Sequence, residues 1–525
     1  MSQGSLKTAV TENQRSLACP AMKKSFNVFF AATVAAGMLQ LLPVPAAAVD
    51  RSPLLSQQTV AGQFGDLGTA SVNPATQPPL APQTDAAVTE SSRPSPRAAS
   101  SLMSQSTLAA SCTPADFGGR TGSALVTFVQ ASTVSCVNSL FSVTGTDAYN
   151  VFREAQMVTI ANAFKNAAPS YPGNNSTSIL QLVLFLRAGY YVQDNYPSTV
   201  GPYGPTLAAA TRGGLDLFVA GSHFMDVTSG HGDVLSEVII LSDSANEQAR
   251  YISTYKRILN AYNSSYDAYW SMDASVNSVF TPIFRGHWNP TFMSTVTADP
   301  SLIDTLNAFA RNHMDKLSDE SWYYLDANAG TEAARFLDTP ALQAKVRPLA
   351  KGLLTISAIS GTTAALWVGV AGMTDAYDQA QCSYYDTCNL VPRLTTASLP
   401  TTHNCDAGHT IRAQAMTSSE LAVACTSMIN QDAYFHSVAG SSPGTPVAND
   451  YNTNIRVNVF ASSKDYRLYA GWIFDISTNN GGMYLEGDPS VPGNQPNFIA
   501  YQNTYDNGFP SRIWNLNHEY THYLD

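Results

Sequence analysis

Basic residues are scarce in this chain. Its 28 Lys plus Arg stand against 39 Asp plus Glu, a formal net charge of −11. That composition excludes nucleic acid as a partner, because no cationic footprint exists to displace counterions. Charge of either sign is sparse, at 13% of residues against 44% hydrophobic, which excludes a chain that is disordered throughout. No apolar run reaches the roughly 20 residues of a membrane-spanning helix. The nearest, Phe26 to Leu42, follows Lys23 and Lys24, ends at Pro43 and Pro45, and precedes Ala46-Ala47-Ala48. Basic start, short apolar stretch and small-residue site are the parts of a secretory signal cleaved after Ala48. They predict a secreted, extracellular protein with no stable membrane insertion after cleavage. The residues before Met22 read as an over-extended start, so 1–48 is assigned to start and signal together.

Cysteine is also infrequent, and no C-x-x-C occurs among the seven. Losing Cys19 with the signal leaves Cys112, Cys136, Cys382, Cys388, Cys405 and Cys425. In an oxidising compartment, disulfides are expected rather than structural zinc. Six cysteines allow fifteen pairings; pairing of nearest neighbours is the simplest of them and keeps each bridge inside one segment.

A chain of 525 residues exceeds what one hydrophobic core organises, so two or more domains are expected. Residues 49–110 are rich in Ser, Thr, Pro, Ala and Gln without an apolar period; they read as a disordered linker or pro-segment. Residues 111–392 carry helical stripes. Leu180, Val183, Leu184, Ala188 and Tyr191 share one face, as do Ile252, Tyr255, Leu259, Tyr262 and Tyr266, and again Leu302, Leu306, Phe309, His313 and Leu317. Breaks are expected at Gly201-Pro202, Gly230 to Gly232, Pro282 and Pro290, and Pro340 is placed to open a helix. Helices without intervening strands predict a helical, solenoid-like array. His313 reads as a core histidine, and His223, His231 and His287 carry no partner spacing.

The texture changes over 393–525. A helix-like run covers Ser418 to Asn430. Ile455, Val457 and Val459 alternate with Arg456 and Asn458, predicting a half-buried strand. Gly481-Gly482-Met483-Tyr484-Leu485-Glu486 predicts another, entered through its glycine pair. A final helix is expected after Pro510-Ser511, with Ile513, Leu516, Tyr520 and Tyr523 or Leu524 on its stripe and Asn515 and Ser511 on its polar side. Strands followed by a helix make this part α+β.

That last helix contains His518-Glu519-Tyr520-Thr521-His522, an H-E-x-x-H. Four residues are slightly more than one turn, so both imidazoles project from one face and can bind one zinc ion. Glu519 lies one step round from His518, beside the metal. There it can take a proton from the attacking water and later deliver it to a leaving amine, a metal-assisted peptide hydrolysis.

The eleven residues from Asn515 to Asp525 strongly resemble the zinc helix of the microbial collagenases, thermolysin-like metallopeptidases. Asp475-Ile476-Ser477-Thr478-Asn479-Asn480-Gly481-Gly482-Met483-Tyr484-Leu485-Glu486-Gly487-Asp488 resembles the family's active-site edge strand. Cys136-Val137-Asn138-Ser139-Leu140-Phe141 more weakly resembles the opening of its activator domain. The resemblance spans about residues 112 to 525. It implies a multidomain protein: a helical-repeat activator domain followed by an α+β zincin-type peptidase domain, the two forming a saddle that grips collagen. His518 and His522 would be zinc ligands and Glu519 the general base. Gly481 and Gly482 would lie along bound substrate, where absent side chains admit a peptide backbone; a strand-edge turn is the other reading of that pair. Glu486 matches a family calcium ligand, or else is a solvated carboxylate.

One departure stands out. The family's third zinc ligand is a glutamate well beyond the motif, whereas this sequence ends three residues after His522. The expectation is therefore a peptidase domain truncated after its zinc-binding helix, since His403, His409 and His436 have no spacing that recommends them as substitutes. The favoured function is a secreted zinc endopeptidase acting on collagen and gelatin. The alternatives are a zinc peptidase of other specificity and an inert fragment acting only as a collagen-binding helical module.

Overall fold

The computed structural model describes residues 72–81 and 112–525, apart from 443, 445, 479, 480 and 504–510. The expected signal, 1–48, lies outside the described residues.

The predicted stripes form helices that stack in two rows. The longer ones are α1 (Glu154–Ala167), α2 (Ile179–Asn195), α3 (Pro205–Val219), α4 (Ser229–Ser244), α5 (Trp270–Ser278), α6 (Ser301–Asn312), α7 (Tyr323–Arg335), α8 (Pro340–Ile356) and α9 (Ala364–Asp378). In an inner row α2 packs on α4, α4 on α5, α5 on α7 and α7 on α9. Outside it, α1 covers α2, α3 covers α1 and α4, and α6 and α8 cover α7. Position explains composition. α6 buries one stripe (Leu302, Ile303, Leu306, Phe309, Ala310), whereas α5 buries every residue from Ser271 to Ser278, as a helix enclosed on all sides must. Most buried charges of the array are paired, Arg187 with Glu237, Arg285 with Asp243 at 2.9 Å, and Arg335 with Glu332 at 2.8 Å. Asp326 of α7 is buried without a hydrogen-bond partner among the described atoms, and burial pushes its carboxyl up to about 8.

Several expectations are refined. Gly230 to Gly232 do not break a helix but form the first turn of α4. Pro282 sits in the first turn of Phe280–Gly286, where its missing N–H costs nothing. His313 follows the last residue of α6 and packs on Phe309 and Tyr262, centroids 4.5 and 4.9 Å away. Residues 72–81 do not fit the reading of an unstructured linker. They lie along the helical array with Ala75 fully buried, because buried side chains supply the hydrogen bonds their backbone needs, which composition cannot reveal.

Beyond α9 come β1 (Thr401–Asn404), β2 (His409–Ala413), α10 (Ser418–Ala439), β3 (Ile455–Phe460), β4 (Met483–Leu485), β5 (Asn497–Tyr501) and α11 (Leu516–Leu524). The strands form one mixed sheet in the order β1-β2-β3-β5-β4, with β2, β3 and β5 parallel and both edge strands antiparallel. Its faces belong to different cores. Phe460, Met483, Ile499 and Tyr501 join the core of the helical array; Val457, Val459, Tyr484, Phe498 and Ala500 join a second core with α10 and α11. β3 is therefore buried on both faces, not half-buried as its alternation suggested, which is the rule for a central parallel strand. α10 continues past Asn430 to Ala439, ending on left-handed Gly440. α11 begins only at Leu516. Ile513 is bridged to Gln502, so Ser511 and Asn515 stand ahead of the helix.

The cysteines pair with their neighbours: Cys112–Cys136, Cys382–Cys388 and Cys405–Cys425. The last ties the turn after β1 to α10, beneath the sheet's second core. C405S/C425S is expected to lower unfolding free energy by about 2–4 kcal/mol, measured by guanidinium titration without reductant.

Candidate metal centre

α11 is only nine residues long, too short to hold its orientation without packing. Three sets of contacts supply it. Leu516 and Tyr520 enter the second core. Gln431 of α10 clasps Asn517 on both sides: its amide nitrogen donates to the Asn517 carbonyl at 2.6 Å, and its oxygen accepts from the Asn517 amide at 2.7 Å. The third set is a polar chain that runs from buried Tyr520 and His409 to the half-buried Asp432 and the exposed Asp406. The Tyr520 hydroxyl donates to Asp432, while His409 reaches that hydroxyl through Nε2 at 2.5 Å and Asp406 through Nδ1 at 2.7 Å.

Thus oriented, α11 presents its opposite side to β4. The His518 and His522 rings stand 5.1 Å apart and nearly perpendicular. His522 stacks on Tyr484 at 6.2 Å, and its Nε2 is buried with no hydrogen-bond partner among the described atoms. Glu519 is 4% exposed. Burial raises its pKa, against which the two imidazoles and the Tyr484 backbone N–H, which donates to it, act as a brake. A cleft of about 910 Å³ opens between α10 and α11, lined by Asn517, His518 and Thr521.

The structure brings together His518, Glu519 and His522 on α11 and sets them beside β4. Gly481 and Gly482 lead into β4 as expected, but the space a side chain would take is used from within: a Cβ on Gly481 would stand 2.3 Å from the Trp514 indole, and one on Gly482 3.2 Å from the Ile499 carbonyl. Glu486 follows β4, its carbonyl accepting from the Asn494 amide at 2.6 Å. Among the described residues, no third His, Cys, Asp or Glu completes a three-ligand group with His518 and His522, and none forms one with Glu486. The one such group, His403 with Cys405 and Cys425, uses cysteines already bonded to each other.

Sequence reasoning passed over His409, Asp406, Asp432 and Gln431. The i,i+3 spacing of Asp406 and His409 was a local signal; Asp432, Gln431 and Tyr520 are joined to it only by the fold.

A profile described as "Peptidase family M9 N-terminal" matches residues 112–294, and one described as "Collagenase" matches residues 353–525. A microbial collagenase of Vibrio alginolyticus is 37% identical over 402 residues, 76% of this chain and 48% of the relative. The chain belongs to the microbial collagenase family. Microbial collagenases of Vibrio vulnificus and Vibrio parahaemolyticus are 26% and 27% identical, again over 76% of this chain and 50% and 49% of their own lengths. The chain thus spans about half the length of these collagenases. The second match begins inside α8, so the collagenase profile takes in α9 as well as the sheet.

The His409 chain gives a signed pH dependence. Burial disfavours its charged form, but hydrogen bonds to Asp432 and Asp406 outweigh this and hold its pKa above the ordinary 6.5. A raised folded-state pKa means the stabilisation is complete below about 6.5 and is lost as pH rises through the folded value. The melting temperature of the native chain should therefore fall towards that of H409Q as pH rises from about 6 to 9. A constant gap across that range would show that His409 does not titrate there.

Proposed function

We propose that the protein is a secreted, zinc-dependent endopeptidase that cleaves collagen and gelatin. The observation that carries the proposal is the His518/His522 pair with Glu519 buried beside it, set against an edge strand in a chain of the microbial collagenase family. Export is supported by the signal features of residues 22–48 and by three disulfides, which persist in oxidising compartments.

His518 and His522 would hold the metal. The fit is supported by the His522 Nε2, a buried imidazole nitrogen without a hydrogen-bond partner, which is costly unless something coordinates it. When bound, zinc polarises the scissile carbonyl and acidifies water. Glu519 is the proton carrier. Its desolvated carboxyl accepts a proton from the attacking water more readily than an exposed carboxylate would, then returns it to the leaving amine nitrogen. The Tyr484 N–H lowers the pKa of that carboxyl, the smallest of the influences on it, so β4 lies beside the proposed base.

β4 is the outermost strand of the sheet. A substrate chain laid along its outer side would pair backbone to backbone, with Gly481 and Gly482 at its entrance. The helical array, packed on the other face of the sheet, is the activator domain of this reading and shares in gripping collagen. Calcium at Glu486 is supported by the family resemblance. A zinc peptidase of other specificity would share the same centre, so substrate choice is tested directly.

Gelatin and collagen hydrolysis by the full-length protein is expected to stop on zinc removal and return when zinc is restored; activity unchanged after confirmed metal loss would defeat the zinc reading. E519Q should lower turnover by about 10²–10⁴-fold while zinc per chain, measured by atomic emission, stays at the native value. Zinc loss alongside activity would make Glu519 a ligand instead.

A further inference from the structure

The inner row of the helical array carries a polar site that catalysis does not use. Asn277 of α5, Asn328 of α7 and Arg335 of α7 are 4%, 3% and 2% exposed. Polar groups so deeply buried need partners. Glu332 holds part of the Arg335 guanidinium and Asn328 donates to Asn277 at 2.8 Å; the further partners come from residues 72–81, Val-Asn-Pro-Ala-Thr-Gln-Pro-Pro-Leu-Ala. The Asn328 side chain grips Leu80 at both backbone atoms: its oxygen accepts from the Leu80 N–H at 2.9 Å and its nitrogen donates to the Leu80 carbonyl at 2.8 Å. Asn277 donates to the same carbonyl at 3.1 Å. The Ala75 carbonyl takes the Arg335 guanidinium and, at 3.3 Å, the Tyr377 hydroxyl. The ends are held from the sheet side, Arg467 donating to the Ala81 carbonyl at 2.7 Å and the Asp475 carbonyl accepting from the Val72 N–H at 2.7 Å.

Every one of the bonds to residues 72–81 is to backbone. Five of the seven go to carbonyls, which suits a strand rich in proline: Pro74, Pro78 and Pro79 have no N–H to leave unsatisfied. After a single turn at Pro74–Thr76, Gln77 enters the extended polyproline II region at φ −76° and ψ 146°. Such a strand is already ordered and loses little entropy on docking.

We infer that Asn277, Asn328, Arg335, Tyr377 and Arg467 form a binding cradle for an extended, proline-rich peptide strand, filled in this chain by its own residues 72–81. The segment is a tethered ligand, not a strut of the fold. A free strand of the same chemistry competes for the cradle, and loses to the tethered copy because tethering gives that copy a high effective concentration. This inference concerns strand binding and does not rest on the zinc chemistry.

The probe is a fluorescent peptide of residues 72–82. It should bind the full chain carrying A75D/L80D, which expels the native segment, at least ten-fold more tightly than the unaltered chain. A peptide with glycine at Pro78 and Pro79 should bind that variant at least five-fold more weakly. Equal affinity for variant and native chains, or for both peptides, overturns the proposal. Independently of any cradle or segment substitution, a protease site inserted at residue 100 of the full chain allows the tether to be cut. The fragment holding 72–81 should co-elute with the rest, then be displaced by excess peptide. Immediate separation, or retention against saturating peptide, would each show that no exchangeable binding site exists.

Discussion

The orientation of α11, and with it of the candidate metal centre, rests on Tyr520. Two residues from each histidine of the pair, its side chain leaves the helix on the opposite side, so whatever holds the phenol aims the imidazoles. The holding is polar. His409 and Asp432 contact the hydroxyl of a ring that is 1% exposed, with Asp406 behind His409, and around a buried ring a satisfied network is strong and a broken one expensive. A two-residue shift of α11, slightly more than half a turn, would carry a histidine to the place of Tyr520 in the second core and turn the phenol to the opposite side. The Gln431–Asn517 clasp adds a lock along the helix axis, because it engages the backbone carbonyl as well as the amide.

The sheet transmits this order further. One face belongs to the helical array and the other to α10 and α11, so a single layer of strands separates the array from α11. β4 joins the two sides most directly. Met483 packs into the array's core, while its neighbour Tyr484 stacks on His522 and donates its N–H to Glu519. Displacement of the array against the sheet therefore bears on Glu519 through two consecutive residues of one strand.

Much of this was legible in the amino-acid order. H-E-x-x-H placed three site residues on one short helix because its chemistry depends on helical spacing alone. The stripes of Leu302, Leu306 and Phe309 and the alternation of Ile455, Val457 and Val459 located real elements by the same periodic logic. What escaped was whatever depends on a partner distant in sequence. The double burial of β3 depends on which strands flank it, and periodicity reports one face at most. His409 was passed over because Tyr520 and Asp432 lie far along the chain. Residues 72–81 looked unable to fold because their own side chains bury little; their order is supplied by Asn328 and Arg335. The glycine pair leads into β4 as its pattern suggested, yet the Trp514 indole that fills the place of a Gly481 side chain comes from another segment of the chain.

The three disulfides carry a consequence for how the chain is made. Each joins consecutive cysteines, at separations of 24, 6 and 20 residues. A polypeptide delivered N-terminus first presents each thiol to its proper partner before the next pair arrives. Each bridge can therefore close as its own short loop emerges, and oxidation in order of appearance already yields the native set.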